Sequence, residues 1–557
     1  MIIQTQKKAV SAGFQLTQFV YNILLLLSGI ILFTLPQPNF LTVNGFPFLI
    51  YFSLIPVFIL VRRLSWKTVW LYGFLYGFGC YCLYTYWLAT FHPAGISVIA
   101  SMYGIYLMIA FPVFKAVYHF FPKYGWLIQW IAWCAYEYIK TIGFSGFHYG
   151  VTGYSQWQNP VLRQCTDVVG IWGLSALITF PSCFLAEIFS KLDKNCFKIQ
   201  ITCKIKKHLT SAVVWICCIV AAVIYGIIST VDYSAEETMK VVLVQPNNDP
   251  WLGGLSEYSK NLEDLIRLTD NALAEDKDIK MVVWPETAFV PRIEWHYRYR
   301  QERAKYELVE TLLNYIDSKE VPFIIGNDHG VAGYNKFGQN DILDYNSALL
   351  FVPGKNCIPP NPEKYFKMHL VPFTEYFPFE TQFPKLYEIL LNGDTHMWEP
   401  GKDPVVFKVG DLKFGTPICF EDTFGDTGRK FVLNGARAFV NISNDAWSKS
   451  AACQYQHLSM AVFRCVENRV PAVRATASGQ TVLVDSNGKV LKMAEPFKQT
   501  YITVDLPVIK NYKETIYTKY GDIVGIAFAI AGLGLFLVGL TKTVVKSIKN
   551  NGDENVR

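Results

Sequence analysis

Three residues that together suit covalent acyl transfer stand at the ends of apolar runs: Glu286 in VVWPET, Lys367 in YFKMHLVPFTEYFP and Cys419 in PICFED. A cysteine attacks a carbonyl as thiolate, and an ordinary thiol, with a pKa near ~8.5, is only a few per cent ionised at neutral pH. It needs an activator. A carboxylate at a strand end behind Trp284 and Pro285 is partly desolvated, which suits Glu286 to take the thiol proton and later hand it on. The Lys367 ammonium favours the thiolate and can hold the oxyanion of a tetrahedral intermediate. Glu375, further along the same loop, is placed to orient the lysine or the attacking nucleophile. Taken singly, each has a plainer explanation: a packed thiol, a solvated strand terminus and a loop lysine.

The elements that must position these groups lie after Val231, where charged residues return and strand-like runs alternate with helical stretches. KVVLVQPN, IKMVVWPET, VPFIIGND, NSALLFVPG, KFGTPICFED, ARAFVNISND, AVRATASGQTVLVDSNG and YITVDLP each read as a buried or half-buried strand closed by turn residues. Residues Glu257 to Glu275 and Glu302 to Ser318 carry apolar side chains at helical spacing. This pattern predicts a separate α/β domain.

The rest of the chain is of another kind. Its 557 residues are 51% hydrophobic and only 17% charged, more apolar than a soluble protein. A spanning helix needs about 20 mostly apolar residues. Such runs are read at Phe14 to Leu35, Phe46 to Val61, Thr68 to Thr90, Ile96 to Phe120, Gly125 to Tyr138, Val168 to Ile188 and Ser211 to Thr230, with an eighth at Ile523 to Leu540. Lys7 and Lys8 precede the first, but no small-residue cleavage site follows, so it is read as a retained helix. The expected domains are residues 1–231 (seven helices), 232–515 (the α/β domain) and 516–557 (the last helix and a tail).

Basic residues fall in every second connection: Lys7 and Lys8, Arg62, Arg63 and Lys67, Lys123, the loop from Lys191 to Lys207, and Lys542, Lys546 and Lys549. By the bias of basic loops toward the cytoplasm, both termini are expected inside and the α/β domain outside. The net charge of +6 is too small an excess to suggest nucleic-acid binding, and the Lys191 to Lys207 loop is read as a topology marker touching lipid head groups. The 13 cysteines show no metal spacing; most sit in apolar runs, and Cys357, Cys419, Cys453 and Cys465 fall in the α/β domain, where a disulfide stays open. In QYQHLSMAVFRCVENRVPAVRATASG, His457 admits a metal or base reading. Arg464, Glu467, Arg469 and Arg474 favour an ion-pair network instead, and Gly479 a close backbone approach near the nucleophile.

VVWPET, KMHLVPFTEYFP, GTPICFED and NISNDAW, in this order, resemble the nitrilase, or carbon-nitrogen hydrolase, superfamily, whose Glu-Lys-Cys triad sits on an αββα sandwich. Joined to eight spans, with the domain between the last two, they resemble its membrane branch, the apolipoprotein N-acyltransferase family. The resemblance places the catalytic Glu, Lys and Cys on Glu286, Lys367 and Cys419. It places supporting or substrate-binding roles on Glu375, Phe420 (often Tyr in the family), Glu421, Asn346 beside Tyr345, and Trp447. GFSGFHYGVTGYSQ is similar to the family's Gly-Phe-Pro-Trp segment, with Ser145 and Gly146 in place of the Pro and Trp. Loops around Trp251 and from Tyr376 to Tyr387 are candidate lids.

The resemblance implies a two-step reaction. Cys419 takes an acyl chain from a phospholipid, phosphatidylethanolamine being the usual donor, as a thioester, and the α-amino group of the N-terminal diacylglyceryl-cysteine of an apolipoprotein then captures it. No metal or cofactor is expected. The expected location is the inner membrane, with the domain periplasmic. Two other readings stand beside this one: a membrane-tethered amidase or nitrilase using water as acceptor, and an inactive lipid-binding or transport scaffold.

Overall fold

The computed structural model describes residues 2–91, 95–190, 197–249, 252–335, 338–377, 379–391 and 397–554. Trp251 and the start of the basic loop, with Lys191 and Lys194, lie outside them. The first part is helical: α1 (Ile2–Thr34), α2 (Ile55–Arg63), α3 (Val69–Tyr84), α4 (Leu88–Phe91), α5 (Gly95–Phe120), α6 (Gly125–Ile139), α7 (Thr166–Phe189), α8 (Phe197–Lys207) and α9 (Leu209–Ile228). The α/β domain adds α10 (Leu255–Glu275), α11 (Ile293–Tyr299), α12 (Arg303–Asp317), α13 (Pro384–Leu391), α14 (Gly425–Leu433) and α15 (Ala451–Asn468). The short α16 (Ile516–Tyr520) leads to α17 (Ile523–Glu554).

Among the described residues, five helical segments are long and apolar enough to cross a bilayer: Gln15–Thr34, Gly95–Phe120, Leu162–Phe189, Leu209–Ile228 and Ile523–Asn550. The other three apolar runs fold into shorter pieces. The run from Phe46 breaks into a 3₁₀ turn (Pro47–Phe52) and α2, each with a proline at its start, where the missing N–H is tolerated. Helices α3 and α6 reach only 16 and 15 residues. The spans leave apolar side chains such as Leu24, Ile109, Val214, Ile224, Ile530 and Leu533 exposed, as a lipid-facing surface requires. Helices α3 and α5 meet backbone to backbone at Gly73 and Gly77. A methyl group at these positions would lie 2.3 Å from the Leu107 carbonyl and 2.4 Å from that of Tyr103, the small-residue contact by which helices associate in lipid.

Among the described residues, twelve strands form two six-stranded sheets. The first runs β12 (Thr500–Pro507), β1 (Thr238–Gln245), β2 (Met281–Val283), β3 (Phe323–Tyr334), β4 (Asn340–Phe351), β5 (Glu363–Phe366). The second runs β11 (Val490–Met493), β10 (Val482–Val484), β9 (Ala472–Thr476), β8 (Ala438–Ser443), β7 (Leu412–Gly415), β6 (Val406–Val409). In each, three central strands are parallel and the flanking ones antiparallel. Alternation along β1 assigns the faces. Val241 and Leu243 join the core between the sheets, while Val242 and Val244 pack on Leu262, Leu265 and Leu268 of α10 and Leu312 of α12. At about 1.5–3 kcal/mol per buried aliphatic side chain, that outer layer holds the helices in place.

The second outer layer is α14 and α15. Helix α15 packs between the sheet and α7 of the bundle, so it is buried on nearly every face. The eight runs of the strand pattern account for nine of these strands, since AVRATASGQTVLVDSNG divides into β9 and β10; β5, β6 and β11 are short additions at the sheet edges.

Candidate active site

Glu286 follows β2, whose end is fixed by Trp284: its indole N–H donates to Thr269 Oγ1 of α10 (3.0 Å). The chain then bends past Gly326 of β3, where a side chain would lie 2.4 Å from the Pro285 carbonyl oxygen. Glu286 is buried, and its Oε1 accepts from Asn346 Nδ2 (2.8 Å) and faces Lys367 Nζ at 3.4 Å.

Lys367 comes directly after β5, and its backbone N–H donates to the Asn346 carbonyl (2.9 Å), continuing the β4–β5 ladder by one residue. Its fully buried ammonium donates to Glu375 Oε1 (2.6 Å) and lies 5.6 Å from the centre of the Phe420 ring. The other Glu375 oxygen accepts from the Val371 N–H (2.8 Å), closing the loop that carries both residues.

Cys419 opens a 3₁₀ turn (Cys419–Thr423) with φ of +54°, a conformation unusual for a side-chain-bearing residue and one that the surroundings must enforce. They do so through Glu421. Fully buried, it accepts from the N–H groups of Ile418 (2.8 Å), Met368 (2.7 Å) and His369 (2.9 Å) and from the Tyr365 hydroxyl (2.9 Å). One carboxylate thus ties the Cys419 turn to the lysine loop. Asn441 Nδ2 adds bonds to the carbonyls of Pro417 (3.0 Å) and Cys419 (3.1 Å).

The charges decide how such a site works. Burial lowers the affinity of Lys367 for its proton, but Glu375 and Glu286 outweigh it and hold the ammonium above its ordinary range. Burial pushes the Glu375 carboxyl up, opposed by Lys367. Burial also pushes the Cys419 thiol well up; the Glu286 charge adds to this and Lys367 counters it. Burial and the Glu286 charge thus favour the protonated thiol of Cys419, and Lys367 opposes them. Glu421 is pushed up to about 7 by burial, against the donors that favour its anion.

A single cation between two buried carboxylates predicts a large penalty for its loss. Lys367→Met should lower the stability of the purified protein by about 3 kcal/mol or more, because two buried charges are left facing each other. Adding Glu375→Gln should return part of it. Thermal unfolding in detergent measures both, and an unmoved midpoint in Lys367→Met would refute the account.

The expected residues thus divide. Glu286, Lys367, Glu375, Asn346, Phe420, Glu421 and Cys419 come together at one end of the two sheets. The Trp447 ring lies 5.5 Å from that of Trp87 of the bundle. Trp251 lies outside the described residues. Tyr345 stacks on Phe366 (4.4 Å). In the segment where Ser145 and Gly146 stand, Ser145 pairs with the Tyr106 hydroxyl (2.6 Å), and the Phe144 ring meets Phe379 at 5.2 Å. Arg464 and Glu467 pair (2.9 Å) as their helical spacing suggested, whereas Arg469 reaches Asp167 of the bundle (2.6 Å) and Arg474 reaches Asp422. Asp422 and Asp445, which bracket His457, had no marker in the sequence. Gly479 lies against Asp445, 3.2 Å from where its side chain would begin. The described cysteines are all free thiols. Among the described residues, no group of three or more His, Cys, Asp or Glu side chains gathers as a metal site.

Comparison with known proteins matches residues 240–514 to the carbon-nitrogen hydrolase family and residues 28–184 to the apolipoprotein N-acyltransferase N-terminal domain. Apolipoprotein N-acyltransferase 1 of Treponema denticola is 42% identical over 543 residues, covering 95% of this chain and 98% of its own. Apolipoprotein N-acyltransferase 1 of Treponema pallidum is 43% identical, covering 93% and 95%. Among solved structures, Saccharomyces cerevisiae Nit3, of the nitrilase superfamily, aligns with 20% identity and a TM-score of 0.35 over 50% of this chain and 93% of its own. With a hydrolase-type domain and a membrane part matched together, and near-complete coverage by relatives above 40% identity, the chain belongs to the apolipoprotein N-acyltransferase family.

Proposed function

We propose that this chain moves an acyl group from a phospholipid, with phosphatidylethanolamine as the usual donor, to the α-amino group of the diacylglyceryl-cysteine that begins an apolipoprotein. In the first step Glu286 accepts the Cys419 proton as the sulfur attacks the ester carbonyl. Lys367 holds the oxyanion, the glycerol oxygen leaves with the proton from Glu286, and an acyl thioester remains on Cys419. In the second the amine attacks the thioester, Glu286 takes the ammonium proton, and the thiol is restored. Glu375 keeps Lys367 charged and aimed; Glu421 and Asn346 fix the triad's parts to one another, and Phe420 lines the site beside the ammonium. No step calls for a metal or cofactor.

The observation that carries the reading is the site's position: Glu286 and Lys367 are buried, Cys419 is half-buried, and the loop that carries Lys367 meets the bundle, where the Tyr376 hydroxyl reaches the Phe144 carbonyl (3.5 Å). Drawing an acyl chain of ~14 methylenes into water would cost about 0.8 kcal/mol for each, and a site at the bilayer surface avoids that. Eight crossings, seven before the domain and one after, belong to the same proposal, with α3 and α6 as short or tilted spans. So do an inner-membrane location, cytoplasmic termini, a periplasmic domain within residues 232–515, and lids at Trp251 and the Tyr376 to Tyr387 loop. Sidedness is supported by the gathering of positive charge away from the domain. Arg62 pairs with Glu187 (3.2 Å), Lys204 donates to the Glu187 carbonyl (3.2 Å), and Lys542 covers Phe121, whereas Trp87 and Thr90 at the opposite end touch the domain.

Intact-mass measurement after incubation with a defined phospholipid tests the function. The expected result is one acyl adduct on Cys419 that persists until a diacylated lipopeptide is added and then discharges onto its amine. Release of free fatty acid alone would replace the transferase with a hydrolase, and no adduct at all would favour a scaffold.

A further inference from the structure

Neighbouring residues on α15 face opposite partners. Gln456, fully buried, donates from Nε2 to the carbonyls of Pro38 (2.9 Å) and Tyr84 (3.1 Å), and its Oε1 accepts from the Trp87 indole (2.9 Å). All three partners belong to the bundle. His457, one residue and about 100° further round the helix, meets Asp422 Oδ1 with Nε2 (2.9 Å) and Asp445 with Nδ1 (3.1 Å). Asp422 lies in the turn that Cys419 opens, next to Glu421, which holds the lysine loop. Arg474 contacts Asp422 and approaches Asp445 (3.8 Å). Asp445 begins the turn whose Ser448 carbonyl accepts from Thr90 of the bundle (3.0 Å).

Such a charged cluster is a poor way to gain stability, since well-packed apolar side chains serve as well or better. A hydrogen-bonded polar network does fix one arrangement, and here His457 bridges both carboxylates while Arg474 Nε and Nη2 have no hydrogen-bond partner among the described residues. We propose that Gln456 and His457 are positioning residues that set Cys419 at a fixed height against the bundle, so that the thiol meets an ester held at bilayer depth. The inference rests on the acyltransferase reading and adds to it. A rigid helix links the loops around Pro38 and Trp87 to the nucleophile turn. Loosening the bundle side displaces the nucleophile relative to a membrane-held donor. It leaves the triad's internal geometry, fixed by Glu421, intact.

The test compares acylation of the full chain by phosphatidylethanolamine in nanodiscs with acylation by a soluble short-chain ester, p-nitrophenyl butyrate. Gln456→Leu should slow acylation from phospholipid about tenfold or more, as a displacement near 1 Å can do, while the soluble ester stays within about twofold. Trp87→Phe removes one of the link's three bonds from the bundle side, without touching α15, and should give the same split at a smaller size. His457→Gln, which reaches one carboxylate but not both, should slow both donors. The double variant Gln456→Leu, His457→Gln should be no slower with phospholipid than the slower single, because the two links act in series. Equal losses on both donors in Gln456→Leu and Trp87→Phe, or no loss on either, would overturn the proposal. Failure of the unaltered chain to be acylated by either donor would instead remove the acyltransferase reading.

Discussion

Cys419→Ala is expected to abolish the acyl adduct and to lower transfer to a lipopeptide by about 10⁴-fold or more, the scale on which loss of an enzyme nucleophile is felt. The fold should survive. The residue is only half-buried, and the bonds that shape its turn are made by the Glu421 carboxylate and by backbone groups. The φ of +54° burdens alanine no more than cysteine. Phospholipid binding, followed by equilibrium exchange of a labelled lipid, should therefore be retained while chemistry stops. Residual transfer within about tenfold of the unaltered protein would mean that another group carries the acyl chain, and the thioester mechanism would fall.

Glu286→Gln should divide two properties that usually move together. With no acceptor for the thiol proton, transfer should fall by about 10²- to 10⁴-fold. The thiol itself should become more reactive toward a small alkylating agent. Burial is the larger reason Cys419 holds its proton and the Glu286 charge the next; removing a negative neighbour lowers the thiol pKa, so more thiolate is present at a given pH. Each unit of that shift is worth about tenfold in thiolate below the pKa. Iodoacetamide labelling followed against pH checks the sign: the profile of the unaltered protein should lie above that of an ordinary cysteine, and that of Glu286→Gln should move to lower pH. A move to higher pH would show that Glu286 stabilises the thiolate, and its role as base would have to be abandoned.

Much of this was legible in the chain before any coordinates. Eight strand runs, two amphipathic helices and, at run ends, Glu286 and Cys419 were visible because burial imposes periodicity, and because Trp284-Pro285 and the turn after Ile418 interrupt it; Lys367 was picked out by the family resemblance of KMHLVPFTEYFP. What stayed hidden was of two kinds. Strand β5, which delivers Lys367, is four residues long with mixed burial, too short to show alternation. The partners of Glu421, Asp422 and Asp445 are set by tertiary approach across long stretches of sequence, and no local pattern encodes them. Helix α15 illustrates the same limit. Its arginines and glutamate suggested pairs within the helix, yet only Arg464 with Glu467 is of that kind, because the helix has a sheet on one side and a membrane bundle on the other. The apolar run from Phe46 has the hydropathy of a span, and its prolines divide it into a 3₁₀ turn and α2, a break that hydropathy does not show.

The first and last strands of the α/β domain, β1 and β12, pair along eight positions from Thr238↔Pro507 to Gln245↔Thr500. During synthesis β1 leaves the ribosome early and waits for nearly the whole domain to follow before its neighbour exists. Closing so long a loop is slow, and until then β1 keeps one edge unpaired. A chain cut short anywhere before residue 500 would lack that closing strand, so a nascent domain is committed to its final sheet only as the last membrane helix is about to be made.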